Sequence, residues 1–133
     1  MIVLDTHVLL WMDRDDDALG KKSRSIIHEA WNKESVSINA ISFWEAALLL
    51  QKGRIELPVS VEIWRRDLLQ AGIREIPLDG GIALLATSLE SEHRDPADRF
   101  IIATAIHHEA LLVTADKIIL GWKSSLKRFD ART

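Results

Sequence analysis

Cysteine is absent from this chain of 133 residues. Its absence excludes disulfides, thiolate zinc sites and cysteine nucleophiles, and it is the usage expected of a cytoplasmic protein. No apolar run approaches the roughly 18 residues that a membrane helix needs, and no basic segment precedes the first apolar residues. We therefore expect neither a membrane span nor a signal peptide. The six glycines form no phosphate-binding loop of the Walker or dinucleotide type.

Basic residues do not outnumber acidic ones, since 17 Lys and Arg stand against 20 Asp and Glu, for a net charge of −3. Proteins that bind nucleic acid over a large area are often basic, so this balance counts against such an interface, though not against a local basic groove. Apolar residues make up 47% of the chain and charged residues 28%, as in ordinary globular domains. The length predicts one domain over residues 1–133 with a single sizeable core.

Short apolar runs alternate with helical patterns along the chain. Four runs are typical of buried or half-buried strands, at residues 2–4, 36–39, 73–78 and 111–113. Helices are expected near residues 6–12, 18–31, 42–51, 60–71 and 79–88 and again after Pro96, and a last edge strand near Gly121–Trp122 and Arg128–Phe129. This alternation predicts an α/β fold, a three-layer α/β/α domain with a mostly parallel central sheet.

Acidic side chains stand at related places in this pattern. Asp5 ends the first strand, Glu45 lies in the first turn after the second, Asp98 begins the helix before the fourth, and Asp116 follows the fourth. If strands one, two and four are neighbours, the four carboxylates converge at the carboxyl edge of the sheet, where ligands bind. Their repulsion requires either raised pKa values or a neutralising cation, and oxygen ligands favour Mg²⁺ or Mn²⁺. Such a site can activate a water and stabilise charge on a phosphate, which favours phosphodiester hydrolysis.

Each acid also has an ordinary structural explanation. Asp5, Asp98 and Asp116 stand where helices are expected to begin, and acids are favoured there as caps and by the helix dipole. Ser42 and Glu45 have the spacing of a capping box. The functional interpretation gains its weight from the joint placement of the four acids at strand ends.

The histidines and the basic residues give weaker signals. The five histidines show no metal-ligand spacing, and the adjacent pair His107–His108 is expected at the surface or half-buried. Arg94, Arg99 and Lys117 flank the acids, where they could contact the phosphates of a nucleic-acid backbone. Arg99 could instead pair with a neighbouring acid and hold the site together.

Four segments together resemble the motifs of one protein family. In order along the chain they are MIVLDTHVLLW (1–11), SFWE (42–45), DPADRFIIATA (95–105) and LVTAD (112–116). Their order and spacing resemble those of PIN-domain ribonucleases of the VapC toxin type. The set of four is specific, whereas one motif alone is not, and the resemblance covers nearly the whole chain.

The resemblance implies a compact PIN-like α/β/α domain with Mg²⁺- or Mn²⁺-dependent endoribonuclease activity. It also implies a type II toxin–antitoxin pair, in which a small antitoxin wraps the toxin and blocks its site, and such toxins commonly form homodimers. Thr6 and Thr114 match hydroxyls that support the site, and Asp95 is an extra acid beside the third motif. Carried over by motif, the catalytic and metal-site acids are Asp5, Glu45, Asp98 and Asp116.

Two other interpretations stay open. A Mg²⁺-dependent phosphatase of the aspartyl-phosphate type would need a second acid two residues after its nucleophile, and here Thr6 and His7 follow Asp5. A non-catalytic interaction module would use its acids only as helix caps. The presence of an acid at all four motifs weighs against the module.

Overall fold

A five-stranded parallel sheet lies at the centre of the computed structural model, which describes residues 1–90 and 93–133. Adjacent strands pair in parallel throughout, in the order β3-β2-β1-β4-β5. The strands are β1 (Ile2–Leu4), β2 (Val36–Asn39), β3 (Arg74–Ile76), β4 (Leu111–Thr114) and β5 (Arg128–Asp130). The helices are α1 (Thr6–Asp13), α2 (Lys21–Asn32), α3 (Ile41–Gln51), α4 (Val61–Gln70), α5 (Gly80–Ser88), α6 (Pro96–His107) and α7 (Lys117–Gly121).

The order of the strands reverses at β1, the central strand. The chain adds β2 and β3 on one side of β1 and then β4 and β5 on the other. Ile2 aligns with Val36 of β2, and Leu4 aligns with Val113 of β4. In parallel sheets, ligands bind outside the carboxyl ends of the strands at such a reversal. The predicted adjacency of strands one, two and four is confirmed.

Each face of the sheet has its own apolar core. Helices α1 to α4 cover one face, where Leu4 and Leu9 are fully buried. Helices α5, α6 and α7 cover the other, where Val3 and Ile101 are fully buried. Successive residues of β1 therefore serve opposite cores, as expected of a strand buried on both faces. The predicted three-layer α/β/α architecture is confirmed.

Acids cap three of the helices that begin near the carboxyl edge. Asp5, Asp95 and Asp116 each accept a hydrogen bond from a backbone N–H in the first turn of the helix that follows. The expectation of a cap is therefore confirmed for Asp5 and Asp116. It is wrong for Asp98, because α6 begins at Pro96 and Asp95 already occupies the capping position.

The predicted capping box at Ser42 and Glu45 is wrong. Helix α3 begins at Ile41, with Ala40 in the capping position and no side-chain cap. Both residues thus lie inside the helix, and Ser42 is fully buried. Their spacing instead turns Glu45 towards the carboxyl edge of the sheet.

The remaining boundaries differ from expectation by a few residues. The final edge strand is confirmed at Arg128–Asp130, but Gly121 ends α7 rather than joining a strand. Helix α2 starts at Lys21, because Asp16 and Ala18 form a turn before it. Within the described part of the chain, no helix is both long and apolar enough to cross a membrane.

Asn39 ends β2 and ties the sheet to two helices. Its Nδ2 donates to Thr104 Oγ1 in α6 at 2.8 Å, and its Oδ1 accepts from the Ile41 N–H at 2.8 Å. Asn39 and Thr104 are both fully buried. The start of α3 and the middle of α6 are therefore fixed relative to each other.

We expect Asn39→Ala to lower the free energy of unfolding by about 1–3 kcal/mol, because the variant removes the buried hydrogen bond to Thr104 and leaves the Ile41 N–H without its acceptor. Urea denaturation measures the loss. The control is Ser25→Ala, which removes an exposed hydroxyl bonded to the Lys21 carbonyl and should change stability by no more than about 0.5 kcal/mol. Equal losses in the two variants would contradict the prediction.

Candidate active site

Four predicted acids meet where the strand order reverses. Asp5 directly follows β1, and Asp116 follows β4 after a single intervening residue. Glu45 projects from α3, and Asp98 lies in the first turn of α6. The charges of Asp5, Glu45 and Asp116 all act on Asp98. The structure thus brings together the set that the sequence singled out.

Asp5 is the most deeply buried of these acids, with 6% of its surface exposed. Its Oδ1 accepts from the Thr6 N–H at 2.8 Å, and its Oδ2 accepts from Thr114 Oγ1 at 2.7 Å. Burial raises the pKa of Asp5, and the two hydrogen bonds oppose that rise without cancelling it. The Thr114 hydroxyl thus orients Asp5, and its role in supporting an active site stays a prediction.

Glu45 is held by the other predicted hydroxyl. Thr6 Oγ1 donates to Glu45 Oε1 at 2.6 Å and lies 2.9 Å from Ser42 Oγ. Burial raises the pKa of Glu45, and the charges of Asp5 and Asp95 add to the rise against the Thr6 hydrogen bond. Thr6 therefore links α1 to α3 and orients the carboxylate.

The pKa of Asp98 is strongly raised. Burial, followed by the repulsion of the surrounding carboxylates, raises its pKa from 3.8 to about 8. Without a cation, Asp98 is therefore largely protonated at neutral pH. The repelling carboxylates are those of Asp5, Asp95, Glu45 and Asp116.

His93 belongs to the site, although its sequence spacing gave no sign of it. The imidazole is buried, and its Nε2 lies 2.6 Å from Asp116 Oδ2 and 3.2 Å from Asp98 Oδ2. Burial alone would raise the pKa of Asp116, but the hydrogen bonds from His93 and from the backbone N–H groups at the start of α7 lower it below the usual value. The only sequence signal was the position of His93 just before the third motif.

Two groups of side chains have the composition and spacing of a cation site. Donor atoms of Glu45, Asp95 and Asp98 lie within 4.8 Å of one another, as do those of His93, Asp98 and Asp116. Asp98 belongs to both groups. Carboxylate oxygens crowded in this way fit a hard divalent cation such as Mg²⁺ or Mn²⁺.

Asp5 lies outside both of these groups within the described residues, and the Thr6 N–H and the Thr114 hydroxyl each bond one of its two oxygens. It acts on the pocket through its charge, which raises the pKa of both Glu45 and Asp98. Direct ligation by Asp5 therefore stays a prediction.

Arg99 points away from the acids. Its guanidinium nitrogens donate at 2.8–3.1 Å to the backbone carbonyls of Ala86, Leu89 and His93. Among the described residues no acid pairs with Arg99, because carbonyls near the end of α5 lack helical partners and take up its donors, and the expectation that Arg99 contacts phosphates stays a prediction. Arg99 thereby links the backbone of His93 to α6.

We expect the metal-free protein to lose stability as the pH rises towards about 8. The folded chain keeps the Asp98 proton up to about pH 8, whereas the unfolded chain releases it near the ordinary pKa of 3.8. Between these values the folded state binds more protons, so each rise in pH favours unfolding. The lowered pKa of Asp116 has the opposite sign, but it acts only in the acidic range below the ordinary value.

Thermal melts in EDTA at about pH 5 and about pH 9 measure this loss. Asp98→Asn should flatten the profile, and the exposed acid variant Asp17→Asn should leave it unchanged. A profile for Asp98→Asn as steep as that of the wild type would show that other groups cause the loss.

Comparison with known proteins gives a consistent family assignment. Residues 2–120 match the family model described as PIN domain. The chain is 34% identical over 117 residues to Ribonuclease VapC22 of Mycobacterium tuberculosis (strain ATCC 25618 / H37Rv). The aligned residues cover 87% of each protein.

Solved structures with a similar fold include FitAcB from Neisseria gonorrhoeae, with a TM-score of 0.65, 23% identity and 98% of each chain covered. Another is VapBC2 from Rickettsia felis, bound to a DNA fragment from their promoter, with a TM-score of 0.70 and 16% identity over 98% of this chain and 100% of that one. At such identities the likeness is one of fold. The family model and the relative that is 34% identical together show, as the four motifs predicted, that this chain belongs to the PIN-domain family, among the VapC-type ribonucleases.

Proposed function

We propose that the chain hydrolyses phosphodiester bonds in RNA as a Mg²⁺- or Mn²⁺-dependent endoribonuclease. The observation that carries the proposal is the convergence of four acids at the reversal of the sheet, where the pKa of Asp98 rises to about 8. A helix cap would not require such crowding, whereas a divalent cation would relieve it. Membership of the PIN-domain family supports the same activity.

The acids would divide the work of holding the cation. Glu45, Asp98 and Asp116 would hold it through carboxylate oxygens, and Asp5 would act directly or through a water. When bound, the cation would orient and activate a water and stabilise charge on the phosphate. The protein supplies a pocket in which the carboxylates are already in place.

Hydroxyl groups and a backbone turn keep the carboxylates in position. Thr6 Oγ1 fixes Glu45, and Thr114 Oγ1 fixes Asp5. Two backbone N–H groups at the start of α7 hold Asp116 Oδ1, so that its Oδ2 faces the pocket. Such outer partners commonly set metal affinity and activity.

Basic side chains beside the acids would position the RNA. Arg94 and Lys117 are exposed and flank Asp98 and Asp116 in the chain. They would contact backbone phosphates, which orients a nucleic acid without reading its sequence. A single-stranded or looped RNA would suit the site, because its backbone and bases are accessible.

The two alternative functions fit the structure less well. A phosphatase of the aspartyl-phosphate type lacks its second acid, since His7 stands two residues after Asp5. A module whose acids only cap helices does not explain Asp98, which caps no helix and whose pKa is raised to about 8.

We also propose that the chain acts in the cytoplasm as a homodimer that a cognate antitoxin inhibits. Among the similar folds is a toxin–antitoxin complex from Klebsiella pneumoniae, with a TM-score of 0.63, 22% identity and 92% of this chain and 93% of that one covered. The exposed side chains of Leu84 and Trp44, at 72% and 55%, are apolar surface that a partner would cover.

Light scattering should give the purified chain a mass of twice 15.0 kDa. Co-expression with a candidate antitoxin should give a heavier complex whose RNA cleavage is inhibited. A monomer would refute the dimer, and an uninhibited nuclease in the complex would refute the antitoxin.

Cleavage of a mixed RNA pool tests the activity itself. The wild type should cleave in Mg²⁺ or Mn²⁺ and not in EDTA. Asp5→Asn and Asp98→Asn should abolish cleavage and keep the far-UV circular dichroism of the wild type, because neither change removes apolar core. The matched control Asp17→Asn removes an exposed acid outside the site and should cleave normally. A wild type that neither cleaves RNA nor binds either metal would favour the interaction module.

A further inference from the structure

The imidazole of His93 lies among the acids of the pocket, and the function proposed for the four acids gives it no role. Its Nε2 stands between Asp98 Oδ2 at 3.2 Å and Asp116 Oδ2 at 2.6 Å, and only 6% of the residue is exposed. The site proposed above is built from oxygen donors. A buried nitrogen donor at its edge changes which cation the pocket would prefer.

We propose that His93 Nε2 is a metal ligand, forming with Asp98 and Asp116 a second cation position that favours Mn²⁺ over Mg²⁺. This inference rests on the proposed function, since it adds a position to the same pocket. Asp98 is shared with the all-oxygen group that also contains Glu45 and Asp95. The two positions are thus adjacent and differ in one donor.

The spacing of the three donor atoms would allow all three to bind one cation. Neighbouring ligands of an octahedral ion with bonds of about 2.1 Å lie about 3 Å apart. The separations of His93 Nε2 from Asp98 Oδ2 and from Asp116 Oδ2 bracket that value. All three atoms lie within 4.8 Å of one another, so a cation could take the place of the proton that Nε2 donates to Asp116 Oδ2, with small movements of the side chains and release of that proton to solvent.

Neighbouring groups hold two of these ligands in place. Asp116 Oδ1 accepts from the N–H groups of Ile118 and Ile119, which leaves Oδ2 directed at the imidazole. Arg99 Nη1 donates to the carbonyl oxygen of His93 at 2.9 Å and so anchors its backbone to α6. A ligand set fixed by outer hydrogen bonds is what a metal position requires.

The imidazole nitrogen of His93 determines which metal this position would prefer. Mg²⁺ prefers oxygen ligands and keeps several waters, whereas imidazole suits first-row transition metals. The position that contains His93 should therefore take Mn²⁺ with higher affinity than Mg²⁺. The all-oxygen group has no such reason to discriminate.

Electron spin echo spectroscopy of the full chain loaded with Mn²⁺ detects the nitrogen directly. The wild type should show ¹⁴N modulation from a coordinated imidazole, and labelling the histidines with ¹⁵N should change the coupling accordingly. His93→Gln should lose the signal. The control His7→Gln removes an exposed imidazole close to Asp5 and should keep it.

Titration calorimetry gives a second readout that does not depend on RNA cleavage. His93→Gln should weaken Mn²⁺ binding by at least the roughly 10-fold that loss of an outer partner can cause, with a much smaller effect on Mg²⁺. An equal loss of affinity for both metals would mean that His93 only orients Asp116.

The outcomes separate this inference from the proposed function. Wild-type protein that binds Mn²⁺ without nitrogen modulation would overturn the ligand role of His93 and leave the oxygen site intact. A chain that binds neither metal would overturn both. Modulation that persists in His93→Gln would assign the nitrogen to another residue and refute the proposal even if the variant is fully folded.

Discussion

The buried carboxylate of Asp5 is the constraint on which the rest of the site depends. It ends the central strand, and its two oxygens are held by the Thr6 N–H and the Thr114 hydroxyl, so β1, α1 and β4 are fixed at one point. Burying a charge is costly unless it is hydrogen-bonded, which explains why both oxygens have donors. The same charge raises the pKa values of Glu45 and Asp98. The two hydrogen bonds that hold Asp5 in place thereby also fix the position of a charge that acts on the other acids of the pocket.

The crowded carboxylates of the pocket repel one another, and a bound cation would relieve this repulsion. If Asp98 ligates a cation as proposed, it would first have to lose its proton, so metal binding would release a proton and become tighter as the pH rises. The Asn39 hydrogen bonds to α3 and α6 keep the crowded carboxylates from spreading apart. Packing and buried hydrogen bonds therefore offset the repulsion between the carboxylates when no cation is bound.

The sequence allowed part of this site to be placed and left part of it hidden. Asp5 and Asp116 could be placed because the rule for strand ends needs only the order of the strands. Glu45 was also placed among the site acids, but the alternative that it forms a local capping box was wrong, since its partner Thr6 is 39 residues away and is brought there by packing of α1 on α3. His93 lies outside every helix and strand, so no periodicity marked it, and its contacts exist only once α6 and α7 are packed.

The parallel pairing of the first strand with the fourth affects how the enzyme is made. The Asp5–Thr114 hydrogen bond spans 109 residues, and β1 stays without one of its two neighbours until β4 has been synthesised. A chain still emerging from a ribosome holds Asp5 and Glu45 long before Asp98 and Asp116 exist. The four acids therefore come together only after the chain has been synthesised through β4 and on to Asp116, well after β1, β2 and the helices between them.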